Sequence, residues 1–196
     1  MSKTVPLYTR QNEKTLHMLE SKSRIINVRR YVELHFGEDA PLFLESYDWF
    51  TAEAAKRVPR PSDVSASIWC SISPENCRRP IPGTVVYELE VPEEEIIYFD
   101  EAKWDYVLNR IYIPLDAADN EAYEKHLAEK GIRSKFELFT KYKAIFPEEI
   151  ELVKESWKRV FEIDNWTIYN VCGNIWEIKK EWIKKIIRYE GPGTAL

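Results

Sequence analysis

The sequence predicts an α+β fold, with a mixed or antiparallel sheet flanked by helices in a single compact domain over residues 1-190. Three observations predict it. Segments of strand period and of helical period follow one another in no regular order, which disfavours a wound parallel sheet. The 196 residues are 44% hydrophobic and 31% charged, with seven Trp and eleven Tyr, enough apolar material for one core and far from a disordered composition. The longest apolar stretches, such as Ile96-Ile97-Tyr98-Phe99, fall well short of the roughly 20 residues that cross a bilayer.

Taken in order, Pro6 to Gln11 alternates as a strand, and Asn12 is placed to cap a short helix carrying Leu16 and Leu19 on one side. Arg24 to Val28 is a second strand, because Ile25, Ile26 and Val28 are β-branched. Pro41 opens a helix in which Phe43, Tyr47, Phe50 and Ala54 recur at helical spacing, and Pro59 and Pro61 stop it after Val58. Ser65 to Ser71 reads as a strand, Ser73 to Gly83 as an exposed loop with three prolines, and Thr84 to Val91 as an alternating strand ended by Pro92. A short apolar strand then leads to Asp100, a helix cap ahead of Trp104, Val107 and Leu108. Asn120 to Lys130 is helical with Gly131 as its left-handed stop, and Pro147 to Phe161 forms the clearest amphipathic helix. A strand is expected from Trp166, a turn at Gly173-Asn174, mixed strand and short helix from Ile175 to Tyr189, and a frayed tail over 191-196.

Composition also bounds function. The formal charge of minus five argues against broad nucleic-acid binding through overall charge. The amino terminus lacks the apolar core of a secretory signal, so the cytoplasm is the expected location and no membrane partner is expected. Cys70, Cys77 and Cys172 form an odd set without a CxxC pair and read as reduced thiols. Asn165-Trp166-Thr167 matches the glycosylation sequon only by chance in that setting. There is no Gly-rich phosphate loop, nucleophile elbow or HExxH, and His17, His35 and His126 lack ligand spacing, so no metal is expected and His17 and His126 read as helix decoration.

What remains is an arrangement of side chains. Tyr8, Thr9, Arg10 and Gln11 end a strand, and the amphipathic Tyr47, Trp49, Trp69 and Trp104 are candidates to line a cleft with Asp100 and Asn109. The structural alternative makes the same aromatics core. Arg57, Arg60, Arg78 and Arg79, and the cluster of Lys179, Lys180, Lys184, Lys185 and Arg188, suit phosphate groups or else form solvated faces.

Six segments carry a resemblance over nearly the whole chain: LYTRQ near the start, SYDWF at 46 to 50, SIWCS at 67 to 71, YELEVPEEEIIYFDEAKWDYVLN at 87 to 109, SWKRVFEI at 156 to 163 and VCGNIWEIKKEWI at 171 to 183. Together, and in this order, they resemble an uncharacterised bacterial family, the domain of unknown function DUF3841. The resemblance marks Tyr8, Gln11, Tyr47, Trp49, Trp69, Asp100, Trp104 and Asn109 as positions matching the family pattern. It also marks departures: Ser71 where the family tends to have a second Trp, Asp105 where it tends to have His, and Cys172 in place of Gln.

Two functions fit these residues. One is an ADP-ribosyltransferase-like enzyme using NAD in a defence or toxin setting. There Arg10 contacts a phosphate or ribose, an aromatic such as Tyr47 or Trp69 stacks on nicotinamide, Ser71 supplies a hydroxyl, and Glu177 stabilises an oxocarbenium-like centre. The other is a non-catalytic module that holds a small-molecule nucleotide, a nucleic-acid end or a protein partner through the same aromatic cleft.

Overall fold

A computed structural model describes residues 3–191 and divides them into two compact units. The first comprises the chain up to Phe99 together with the segment from Asn165 onward, and the second is Asp100–Asp164. The tail expected beyond Gly191 lies outside the described residues.

The first unit is built on a six-stranded sheet. In chain order its elements are β1 (Thr4–Asn12), α1 (Thr15–Lys22), β2 (Arg24–Ile26), α2 (Arg29–Phe36), α3 (Ala40–Ala54), β3 (Ile68–Ser71), β4 (Thr84–Pro92), β5 (Ile97–Asp100), β6 (Val171–Ile175), β7 (Glu177–Lys179) and β8 (Ile183–Arg188). The large sheet runs β5-β6-β3-β1-β4-β8, and β2 pairs with β7 as a separate ribbon. The sheet is antiparallel in each registered pair, as the irregular element order implies. Strand alternation divides β1 between two faces. Leu7 and Thr9 are buried, and Leu7 joins Ile68, Cys70, Val85, Tyr87, Leu89 and Ile175 in a core closed by Leu19 of α1, Ile25 of β2 and Ile178 of β7. Tyr8 and Arg10 are turned to the opposite face, where α3 lays Phe50 against Trp69 of β3 and Phe99 of β5, with ring centroids 5.2 and 5.3 Å away.

The second unit holds α4 (Glu101–Leu108), α5 (Ala117–Glu129) and α6 (Pro147–Ser156). The expected caps are in place: Asp100 accepts from the Lys103 backbone N–H at 3.0 Å, and Gly131 ends α5 with a φ of 74°. Trp157 and Phe139 stack with centroids 5.6 Å apart, and Trp104, Val107, Ile150, Val153 and Val160 are buried as well.

Five local expectations are corrected. Asn12 does not cap α1; it ends β1, and its side-chain oxygen accepts from the Lys14 N–H at 3.0 Å in a turn that precedes the helix. The helix α2 was not expected; Arg29 anchors it through Asp48, at 2.8 Å, and through its backbone N–H, which donates to the Ser65 hydroxyl. The helix from Pro147 gives way at Trp157 to a 3-10 turn, where Trp157 Nε1 donates to the Ile111 carbonyl at 2.9 Å. Trp166 stands in a turn region, well exposed, rather than in a strand. Gly173-Asn174 is no turn but the middle of β6, because the sheet needs a residue without a side chain there: an added Cβ would lie 3.1 Å from Leu7 Cδ2 and from Ile96 Cγ2.

Candidate functional site

The register of the large sheet sets the site. Cys172 of β6 faces Ser71 of β3, Ser71 faces Tyr8 of β1, Tyr8 faces Glu88 of β4, and Glu88 faces Lys185 of β8. Residues directly opposite one another on antiparallel strands share a face, so these five make one row across five strands. Exposure rises along it, from buried Cys172 through half-buried Ser71, Tyr8 and Glu88 to exposed Lys185. Arg10 lies two residues from Tyr8 on the same face and donates through Nη1 to the Arg79 carbonyl at 3.2 Å. Ser71 Oγ donates to the Asn76 carbonyl at 3.1 Å. The loop between β3 and β4 is thereby tied to this face at two points.

Electrostatics follow from the same arrangement. Burial, and then the negative charges of Glu88, Glu75 and Glu90, push the Tyr8 phenol up, so it stays neutral and able to donate a hydrogen bond at physiological pH. Burial pushes the Cys77 thiol up despite the pull of the Arg10 guanidinium. The thiol is therefore mostly protonated and a poor nucleophile at neutral pH.

The aromatic wall is packed rather than open. Trp69 meets Tyr47 at 5.6 Å, Phe50 at 5.2 Å and Phe99 at 4.8 Å between ring centroids. Burial pushes the Tyr47 phenol up to about 12. Trp49 is half-buried on α3. Gln11 belongs to the opposite face from Tyr8: its Nε2 donates to Thr9 Oγ1 at 2.8 Å, and Thr9 Oγ1 donates to the Trp69 carbonyl at 2.7 Å. Glu177 opens β7 with its side chain 12% exposed, accepting from Arg24 at 2.7 Å. Arg10 and Glu177 both turn away from the core on different sheets, and no hydrogen bond or ion pair joins them among the described residues. The remaining expected residues belong to the second unit: Asp100 caps α4, Trp104 is 5% exposed in its core, and Asn109 Nδ2 donates to the Asp105 carbonyl at 2.8 Å.

Two buried polar features make contacts that the sequence does not reveal, although Asn174 reads there as a polar residue of a late strand and His126 as a residue of α5. Asn174 is fully buried opposite Trp69; its Nδ2 donates to Ser67 Oγ at 3.0 Å, while Oδ1 has no donor among the described residues. His126 does more than decorate α5, since its Nε2 lies 2.9 Å from the buried Glu149, which also binds Lys130. A polar residue inside the apolar run around Trp176 signalled the first; the second joins residues 23 apart, which no local pattern reveals. Surface depressions of about 700 Å³, lined by Leu127, Gly131, Ile132, Arg133 and Phe136 among others, and of about 280 Å³ beside Tyr112 and Arg159, include none of the expected site residues. Among the described residues no group of three or more His, Cys, Asp or Glu is placed to hold a metal ion; the His35 side chain is outside that description.

No curated protein and no solved structure matches the chain. A family model does, over residues 6–184. The match begins in β1 and ends in β8, spanning both units and four of the five residues of the row, with Lys185 one position beyond it, and the chain belongs to DUF3841, a domain of unknown function.

Proposed function

We propose that the first unit binds a nucleotide, or the exposed base of a nucleic acid, on the face carrying Tyr8, Arg10 and Ser71. The observation that carries this reading is the in-register row, which sets a neutral phenol between a hydroxyl and a carboxylate with a guanidinium two residues away. A half-buried phenol offers a ring face for stacking, worth about 1–3 kcal/mol per base, and an Arg beside it takes a phosphate or a base edge. Trp69 supports the floor of the face, but its contacts with Phe50 and Phe99 make it a packing residue as well. Tyr8→Ala is therefore the cleaner probe. Titration calorimetry with ADP, NAD and short single-stranded oligonucleotides is expected to show binding that weakens by about 1–3 kcal/mol in Tyr8→Ala and with added salt. Unchanged affinity in that variant would remove the reading, as would the absence of binding to all three ligands.

A second reading, ADP-ribosyl transfer from NAD, is favoured by the break between the large sheet and the β2–β7 ribbon. Arg10, Ser71 and Glu177 sit on β1, β3 and β7, and Glu177 begins the ribbon two residues after β6 ends at Ile175. In that reaction the bond from the ribose C1′ to the nicotinamide nitrogen breaks, nicotinamide leaves with the bonding pair, and an acceptor oxygen or water attacks C1′ and loses its proton. Glu177 must first leave Arg24 to face the oxocarbenium-like carbon. Nicotinamide release measured on the wild type, Arg10→Ala and Glu177→Gln tests it. Turnover lost in both variants, with melting temperatures near wild type, supports transfer; equal turnover in all three removes it.

A further inference from the structure

We propose that the loop Ser73–Gly83 is the phosphate-holding wall of the nucleotide face, with Arg78 and Arg79 acting alongside Arg10 on a diphosphate group. The inference rests on the nucleotide-binding reading and adds to it where the charged end of the ligand lies and which residues recognise it.

Among the described residues eight of the twelve arginines form no ion pair, and Arg10, Arg78 and Arg79 stand out among those eight because the Arg10 side chain is hydrogen-bonded to the loop that carries the other two. Arg24, Arg29, Arg57 and Arg159 each stand within 4 Å of a carboxylate. Among the described residues, Arg10, Arg78 and Arg79 form no ion pair, although the chain carries 33 acidic residues. Arg78 and Arg79 are exposed, and Arg10 spends one N–H on the Arg79 carbonyl. A guanidinium has five N–H donors in a fixed fork, so Arg10 keeps donors for a further acceptor.

The loop is also held in shape, which lowers the ordering cost of binding. Pro74, Pro80 and Pro82 restrict its backbone. Ser71 Oγ fixes Asn76 at 3.1 Å, and Thr84 Oγ1 closes the far end by donating to the Ile81 carbonyl at 2.8 Å and accepting from the Ile81 N–H at 2.9 Å. Gly83 turns the chain into β4 with a φ of 77°. The Arg10 charge reaches this loop, since it acts on the Cys77 thiol. Glu88 and Glu90 act on Tyr8 from the β4 side. They repel a phosphate from that flank and can accept from ribose hydroxyls, which orients a nucleotide with its sugar toward β4 and its phosphates toward the loop.

The test compares ADP, inorganic pyrophosphate and adenosine by titration calorimetry on the wild type, on Arg78→Ala/Arg79→Ala and on Arg78→Lys/Arg79→Lys, with melting temperature as the control for folding. The expected result is a loss of at least about tenfold in ADP and pyrophosphate affinity in the alanine pair, partial recovery in the lysine pair, and no change for adenosine. Undiminished ADP affinity in the alanine pair overturns the inference. Adenosine binding to wild type as tightly as ADP overturns it as well while sparing the nucleotide reading, whereas failure of all three ligands to bind the wild type sinks both.

Discussion

A methyl group at position 173 would press on the Leu7 and Ile96 side chains at 3.1 Å, closer than carbon atoms pack in contact. Gly173→Ala meets only the flexible ends of those two side chains, but Gly173→Val adds two more carbons to a buried position. Overpacking of this kind costs about 1–3 kcal/mol, and urea denaturation of Gly173→Val is expected to show a midpoint lowered accordingly with an unchanged slope. The same residue shows why parts of the site were illegible. A Gly-Asn pair signals a turn when only neighbours in sequence are considered; the cause of this glycine is Leu7, far away in the chain. Trp69 and Tyr47 were legible as large amphipathic side chains, but the number of rings each one meets depends on α3 and β5, which its own segment does not encode.

Elements defined by a strong period or a cap were readable from sequence: β4 by its alternation, α4 by Asp100, α5 by Gly131, α6 by Pro147. The helix α2 was not read, although Gly37 ends it with a φ of 56°; tertiary contacts from Arg29 and the stacking of Phe36 on Phe43, at 4.4 Å, hold it. Between α5 and α6 lies a polar bridge of the same kind. Burial raises the Glu149 carboxyl, but hydrogen bonds from Lys130 and His126 outweigh it and leave the group below the ordinary 4.5. A carboxyl lowered in the folded state contributes stability above its unfolded pKa and loses it as the pH falls through the folded value. Glu149→Gln is therefore expected to lower stability by about 1–3 kcal/mol at pH 7 and to show a shallower loss than wild type between pH 5 and pH 3. The cost stays at that level because the His126 and Lys130 side chains are 42% and 30% exposed and can turn to water. Denaturation curves across that range, fitted for each protein, decide it.

For the molecule as a whole, composition and length implied an α+β chain, and the six-stranded sheet with its helices is one. No helix among the described residues is long and apolar enough to cross a membrane. The division into two compact units was not read from the sequence, although 26 of the 65 residues from Asp100 to Asp164 are charged against 35 of the other 131. The pairing of Ser71 with Cys172 carries a consequence of another kind. By resemblance, these are two of the places where the chain departs from the DUF3841 pattern, with Ser for Trp and Cys for Gln. Because the two stand face to face, they amount to a single exchange of one bulky contact for one compact contact. If the two positions are coupled, homologous chains trade them jointly. A double-mutant cycle on Ser71→Trp and Cys172→Gln is then expected to give a coupling of about 0.5–3 kcal/mol in stability, where independent positions would sum to within about 0.5.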